Sequence, residues 1–151
     1  MVSTFRNNLI FICKNKIITI MYMTCFWDAI LSTLNAEDFK LLGLNSRPNR
    51  ETFIKTLQSK NRLANNVFWM NKPLREQELK EHKEAVNCYN IKGIYDGHLT
   101  SICDSFLILL CELLEIEINH RYIRNMISYK NKNKVRKRLS YRSNRGHFQR
   151  G

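Results

Sequence analysis

The feature that most constrains the fold of this chain is an apolar run between positions 106 and 114. It reads Phe-Leu-Ile-Leu-Leu-Cys-Glu-Leu-Leu, with Glu112 as its one charged residue. A helix that is apolar around nearly its whole circumference has to be buried on all sides. We therefore predict one core helix, with the rest of the 151-residue chain packed around it as a single domain.

The segments on either side of this helix predict an α+β fold. Upstream, apolar residues recur at helical spacing in four stretches: 25–34, 36–42, a helix whose first residue is Pro48, and a helix that Pro73 opens and that runs to about Cys88. Downstream, β-like segments occupy 116–122, 126–129, 135–141 and 146–149. Helices followed by a run of strands predict a helical part packed on a small, mostly antiparallel sheet.

The N-terminal region predicts an extended segment and no membrane span. Residues 17–23 are rich in β-branched and aromatic side chains, which favours a strand entering the core, and residues 1–16 are expected to form a poorly ordered lead-in. The apolar run at 9–13 is interrupted by Lys14 and Lys16 before it reaches the length of a signal peptide core or a membrane helix. We expect an intracellular protein without a membrane segment.

The five cysteines predict neither a disulfide framework nor a metal site. Their number is odd, no CxxC pair occurs, and several lie in apolar helical patterns, where a thiol behaves as a small hydrophobe. The chain is therefore expected in a reducing compartment, as a monomer without a metal or another cofactor. A zinc site would need residues that lack ligand-pair spacing, namely Cys88, His98, Cys103 and Cys111.

Charge is distributed unevenly along the chain, whose net charge is +12. No Asp or Glu follows Glu117, while residues 130–150 carry nine Lys or Arg. Such a stretch can contact phosphate backbones, and it is also typical of a solvated basic hairpin. The nucleic-acid interpretation names four cations: Lys130, Arg136, Lys137 and Arg138.

Two short motifs far apart in the chain supply the parts of a cysteine hydrolase. Cys25 lies where a helical pattern begins, and a helix start favours a thiolate because its N–H groups and dipole stabilise negative charge. His147 lies near the end of the chain, with Gln149 two residues later. An imidazole can take the thiol proton, and an amide oxygen on the same side of a strand can hold the ring in one tautomer. His98 and His120 are the competing bases.

The surroundings of these residues resemble the ovarian-tumour (OTU-like) family of cysteine peptidases. The run from Thr24 to Ile30 is similar to the family's nucleophile motif, Asp-Gly-x-Cys-Phe/Leu-aromatic-x-Ala/Ser-Ile. Residues 97–104, the core helix and the Ile-Glu-Ile at 116–118 resemble its middle block, and residues 143–149 resemble its terminal His-aromatic-Asn/Asp motif. The three blocks stand in family order, and the chain is most similar to divergent OTU-like proteins of large DNA viruses.

The resemblance implies a papain-like OTU domain over residues 1–151, with Cys25 as the nucleophile, His147 as the general base and Gln149 as the orienting residue. Two positions depart from the family pattern. Tyr22-Met23 stands in place of Asp-Gly, and Gln149 stands in place of Asn or Asp. Two functions are therefore predicted as alternatives: a deubiquitinase, or an inactive OTU-like module that uses its basic C-terminal surface on nucleic acid.

The predicted substrate contacts follow from the resemblance and from charge. The resemblance implies ubiquitin or a ubiquitin-like protein, whose tail and surrounding face are basic. An acidic patch on the substrate side is therefore expected, and the charged helix that precedes Cys88 offers Glu76 and Glu81, although its acids are also typical of a solvated helix face. Trp27, next to the nucleophile, is either a core anchor or a substrate contact.

Overall fold

The computed structural model describes residues 23–95, 102–144 and 147–151 of the chain. Within them lie five α-helices: α1 (Met23–Thr33), α2 (Ala36–Leu41), α3 (Arg50–Ser59), α4 (Glu76–Cys88) and α5 (Ile102–Leu114). A short 3-10 helix, Ile91–Tyr95, follows α4. The described strands are β1 (Val67–Trp69), β2 (Lys72–Pro73), β3 (Glu117–Tyr122), β4 (Asn125–Asn131), β5 (Arg138–Ser143) and β6 (Phe148–Arg150).

These strands form one sheet in the order β2-β1-β4-β3-β5-β6. Neighbouring strands are antiparallel except β3 and β5, which run parallel, with Glu117 beside Arg138 at one end and Tyr122 beside Ser143 at the other. The predicted α+β architecture with a mostly antiparallel sheet is confirmed. Among the described strands, β6 lies at one edge of the sheet, beyond β5.

Helix α5 lies at the centre of the core, as its composition predicts. Phe106, Leu110 and Leu114 are completely buried. The helix packs on the sheet through β1, β3 and β4 and contacts α4 as well. Asn131, at the end of β4, donates from Nδ2 to the carbonyl of Cys111 at 3.0 Å, so the sheet is also tied to the helix backbone.

Strand alternation gives this sheet two different faces. Inward-facing residues such as Ile118, Tyr129 and Leu139 are buried under the helices. The opposite side, which we call the outer face, is half-buried to exposed throughout. It consists of Phe68 of β1, Glu117, Asn119 and Arg121 of β3, Met126, Ser128 and Lys130 of β4, Arg138, Ser140 and Arg142 of β5, and Gln149 of β6.

Pro73 does not open a helix, contrary to the sequence prediction. It lies in β2, which pairs with β1, and α4 begins three residues later at Glu76. Met70 and Asn71 turn the chain between the two strands with φ of 53° and 63°, the left-handed geometry of a tight hairpin. A proline is accommodated because β2 is an edge strand, where a missing N–H breaks no ladder bond.

Pro48 likewise precedes a helix and does not begin one. Asn49 has an extended backbone, and its side-chain oxygen accepts a hydrogen bond from the Thr52 N–H at 2.8 Å. An asparagine that caps the free N–H groups in this way sets the start of a helix. Helix α3 therefore begins at Arg50, two residues after the predicted position.

Some expectations concern residues that the structure does not describe. The lead-in at 1–16, His98 and most of the strand at 17–23 lie outside the described residues, and Met23 is the first residue of α1. Across the described ranges, no helix is long and apolar enough to cross a membrane. The cysteines found there are free thiols: Cys25, Cys88, Cys103 and Cys111.

Candidate active site

Cys25 is the third residue of α1 and is half-buried against the edge strand β6. Its Sγ accepts a hydrogen bond from the backbone N–H of Phe148 at 3.3 Å. The two motifs that the sequence singles out therefore meet in the fold, although 123 positions separate these two residues. The thiol lies in the first turn of α1, the end of a helix where backbone N–H groups have no partner within the helix.

The ring of Phe148 holds β6 in this position. The ring is buried and packs edge-on against Phe26 of α1, with the ring centroids 4.8 Å apart. On the sheet it contacts His120 and Tyr141, at centroid separations of 5.0 and 5.3 Å. The aromatic residue between the two predicted site residues is thus a core anchor that fixes the strand against the thiol-bearing helix.

His147 lies immediately before β6 and is exposed to solvent. Its carbonyl accepts a hydrogen bond from the Asn144 N–H at 2.9 Å across the turn between β5 and β6. Gln149 is half-buried and lies beside Arg142 on the outer face. The structure therefore brings the segment that carries both residues to Cys25, with Phe148 as the residue in contact.

Asp28, in the same motif as Cys25, links two helices. Its carboxylate accepts hydrogen bonds from Nε and an Nη of Arg50 on α3, at 2.8 and 2.9 Å. Two parallel bonds of this kind fix both side chains more firmly than a single ion pair does. Asp28 therefore contributes to the position of α1 on α3.

The other described thiols differ from Cys25 in their surroundings. Burial raises the pKa of Cys103 well above its ordinary value, and the nearby Asp104 carboxylate raises it further. Burial likewise raises the pKa of Cys111. Cys88 is exposed at the last residue of α4. Cys103 and Cys111 are core residues, and Cys88 offers a natural reference for an ordinary surface thiol.

His120, a competing base, is a packing residue of the core. It points inward from β3, and its Nε2 lies 2.6 Å from the hydroxyl of Ser143 on β5. Desolvation by burial lowers the pKa of His120 to about 4, so the ring is neutral at neutral pH. The ring forms a link between two strands under Phe148.

Trp27 belongs to the core and offers no surface to a substrate. It is completely buried, and its Nε1 donates to the hydroxyl of Tyr89 at 3.2 Å. Its ring packs edge-on against Phe106 at a centroid separation of 4.7 Å. The expectation that Trp27 contacts substrate is therefore wrong, and the alternative of a core anchor is confirmed.

Glu76 and Glu81 lie on α4. Glu76 is exposed and pairs with Lys80 at 3.2 Å, while Glu81 accepts a hydrogen bond from Gln77 at 3.3 Å. The contact with α1 is made by Tyr89, just past the other end of α4. Tyr89 lies about 20 Å along the helix axis from Glu76. A role for these two glutamates in substrate binding stays a prediction.

Two cations of the predicted nucleic-acid surface are held by a buried carboxylate. Asp38 is completely buried in α2 and accepts hydrogen bonds from Arg136, at 2.8 Å, and from Lys137. Burial alone would raise the pKa of Asp38, but these bonds and one from the Asn35 N–H hold it below its ordinary value. The structure therefore removes Arg136 and Lys137 from the expected surface.

The other two cations of that prediction lie on the outer face, on either side of Glu117. Arg138 pairs with the Glu117 carboxylate, and Lys130 is half-buried on the neighbouring strand β4. Three of the six cations between 130 and 138, namely Arg136, Lys137 and Arg138, thus pair with carboxylates from elsewhere in the fold. This part of the chain is a less cationic surface than its composition indicates.

Sequence reasoning did not identify the contact that joins the site or the carboxylate that neutralises the basic segment. The donor from Phe148 is a backbone N–H. Every residue except proline carries one, so the residue type does not indicate this contact. An aromatic residue between two polar candidates does predict a buried anchor, so the role of Phe148 could be predicted from the sequence. Asp38 is recognisable as the third residue of a helix capped by Asn35, but its ion pairs are long-range.

No protein-family model matches the chain, and neither a curated protein nor a solved structure matches it. Among the residues that the structure describes, no group of three or more His, Cys, Asp or Glu side chains could hold a metal ion. The contact between Cys25 and β6 therefore carries the functional assignment.

Proposed function

We propose that the protein is a cysteine hydrolase of the OTU-like class, with Cys25 as nucleophile and His147 as general base. The observation that supports this most is the hydrogen bond from the Phe148 N–H to Sγ of Cys25. This bond joins Phe148 to the thiol of Cys25 in the first turn of α1, and the residue before Phe148 is His147, whose imidazole is exposed. Nucleophilic catalysis by cysteine uses a thiol, a nearby base and a group that stabilises negative charge, and this contact brings the segment that carries His147 to the start of the helix that carries Cys25.

The chemistry is acyl transfer through a thioester. His147 takes the proton of Cys25, and the thiolate attacks the carbonyl carbon of the scissile amide. The tetrahedral intermediate collapses as the C–N bond breaks, and His147 returns the proton to the leaving amine. Water that gives a proton to His147 then attacks the thioester, which releases the carboxylic acid and regenerates the thiol.

Two backbone features support activity in spite of the departures from the family pattern. The dipole of α1 favours negative charge beside Cys25, both on the sulfur and on the oxyanion that forms during attack. The Phe148 N–H favours the thiolate before attack because hydrogen bonds to charged acceptors are stronger than those to neutral ones. Neither feature depends on the Asp-Gly of the family motif, in whose place this chain has Tyr22-Met23.

The open position of the site favours a substrate with a flexible tail. Cys25 is half-buried, His147 is exposed and β6 is the outermost strand at one end of the described sheet, so the thiol lies at the rim of that sheet. An extended C-terminal tail, such as that of ubiquitin or a ubiquitin-like protein, can approach such a rim without rearrangement of a folded domain. The proposed reaction is cleavage of the amide bond after that tail.

The proposal is tested with a ubiquitin probe that carries an electrophile at its C-terminus. We expect one adduct, mapped to Cys25 by peptide mass spectrometry. It should be absent in Cys25→Ala, at least about tenfold slower in His147→Gln, and unchanged in Cys88→Ala, which removes an exposed thiol outside the site. Labelling that persists in Cys25→Ala would exclude this nucleophile, and a lack of any adduct would exclude ubiquitin as the substrate.

A further inference from the structure

The outer face carries two arginines that no carboxylate of the described residues balances. Arg142 on β5 lies beside Arg121 on the parallel strand β3, and both side chains are exposed. The same row continues to Gln149 on β6 and to Met126 on β4. In the described part of the chain, neither arginine forms an ion pair with Asp or Glu.

Positive charge also predominates around these two arginines. Glu117 is the one acidic residue of the outer face as defined above, and Arg138 already pairs with it. Arg124, on the turn between β3 and β4, and Lys132, just after β4, are exposed and extend the positive surface. Like charges on neighbouring strands are destabilising. A partner that supplies negative charge would relieve this repulsion.

The neighbouring side chains indicate the chemistry of that partner. Asn119, Ser128 and Ser140 lie on the same face next to the arginine row. Arg, Ser and Asn are side chains that contact phosphate and sugar oxygens in nucleic-acid complexes. Protein interfaces are centred on aromatic or apolar anchors, whereas the arginine row holds one large apolar residue, Met126, and the aromatic Phe68 is half-buried beside Lys130, two rows away.

We propose that the outer face binds the phosphate backbone of a nucleic acid, with Arg121 and Arg142 as its principal contacts. The two guanidinium groups are placed to contact phosphates, and the amide and hydroxyl groups beside them supply further hydrogen bonds. The contacts are to the backbone, so binding is independent of base sequence. This surface differs from the one predicted from the sequence, whose Arg136 and Lys137 are held by Asp38.

The test is the fluorescence anisotropy of a fluorescein-labelled RNA of about 20 nucleotides, titrated with the full chain at several NaCl concentrations. The variant Arg121→Gln/Arg142→Gln is compared with Arg47→Gln/Lys55→Gln, which removes two exposed charges from the helical side. We expect the control to bind like wild type. The arginine variant should bind about tenfold or more weakly at roughly 50 mM salt, with a salt slope shallower by about 1.4, the value for two lost phosphate contacts.

Two further measurements distinguish a loss of charge from a loss of fold, and a nucleic acid from an acidic protein as the partner. Arg121→Lys/Arg142→Lys keeps the charges and should retain most of the affinity, because lysine also neutralises phosphate charge. Failure of wild type to bind RNA at about 50 mM salt would overturn the proposal. Equal weakening in the control variant would do the same, since it would show an effect of net charge alone. Displacement of the RNA by polyglutamate at equal charge concentration would assign the face to an acidic protein.

Discussion

At the residue scale, Gln149 decides whether the proposed site is a triad. Its side chain is one methylene longer than the Asn of the family motif, and it is half-buried beside Arg142. If its oxygen orients the His147 ring, Gln149→Asn should keep or raise the rate of Cys25 labelling. Gln149→Ala should lower that rate about tenfold, less than the 10²–10⁴ contribution of a complete general base. Equal labelling rates in wild type and both variants would show a Cys–His dyad.

His120 gives the stability of the protein a pH dependence that can be assigned to one residue. Its pKa is about 4 in the folded protein because burial disfavours the charged ring, and about 6.5 in the unfolded chain. The unfolded state therefore binds more protons between these values. The stabilising contribution is complete above pH 6.5 and is lost as the pH falls towards 4. We expect the loss to reach about 3 kcal/mol in the free energy of unfolding.

Urea denaturation at pH 7 and pH 4 measures this difference. In His120→Gln the loss between the two pH values should shrink by most of that amount, because the group that takes up the proton is gone. His147→Gln is the matched control: it removes an exposed imidazole and should leave the loss as in wild type. An unchanged pH dependence in His120→Gln would contradict the assignment.

At the scale of elements, the packing of β6 on α1 depends on one ring. Phe148 is buried between Phe26, His120 and Tyr141, so Phe148→Ala should lower the free energy of unfolding by about 3–5 kcal/mol. Phe148→Leu keeps more of the volume and should cost roughly 1–2 kcal/mol. Urea denaturation gives both values.

The same pair of variants tests the link between packing and reactivity. In the fraction of Phe148→Ala that remains folded, the strand is no longer held against α1, so labelling of Cys25 should be slower than in Phe148→Leu. Phe68→Ala, a half-buried position on β1, serves as the control and should leave the labelling rate unchanged. Labelling of Phe148→Ala at the wild-type rate would show that the anchor does not position the site.

Elements with a strong local signal could be predicted from the sequence, and those set by backbone geometry could not. The composition of α5 alone requires burial, and the core confirms it. The hairpin between β1 and β2 depends on positive φ at Met70 and Asn71; asparagine tolerates this geometry, but methionine gives no indication of it. Pro73 therefore seemed to open a helix when it ends a hairpin, and α4 begins three residues later.

The candidate site shows the same division. Cys25 and His147 are recognisable because thiol and imidazole carry the chemistry by residue type. The hydrogen bond that brings their segments together uses a backbone N–H and spans 123 positions, so no local pattern records it. The partner of Arg136 and Lys137 is Asp38, close to a hundred residues away, and only the fold reveals that these cations are balanced.

At the scale of the whole molecule, a net charge of +12 opposes a basic substrate at long range. If these acids of α4 offset this repulsion, reversal of Glu76 and Glu81 to Lys should slow ubiquitin-probe labelling several-fold at low salt, and much less at about 0.5 M salt. Reversal of Glu37 and Glu51, which are exposed on α2 and α3, changes the net charge equally and serves as the control. Equal labelling of the two variants at every ionic strength would show that α4 has only a solvated face.

The central claim, that Cys25 and His147 form a nucleophile–base pair, can be measured without knowledge of the substrate. The native full chain is alkylated with iodoacetamide at about pH 6.5, and each cysteine peptide is followed by mass spectrometry, with exposed Cys88 as the internal reference. We predict that Cys25 reacts about tenfold faster than Cys88 in spite of its partial burial. This advantage should be lost in His147→Gln and kept in His120→Gln. Alkylation of Cys25 no faster than that of Cys88, or an advantage that survives in His147→Gln, would contradict the account.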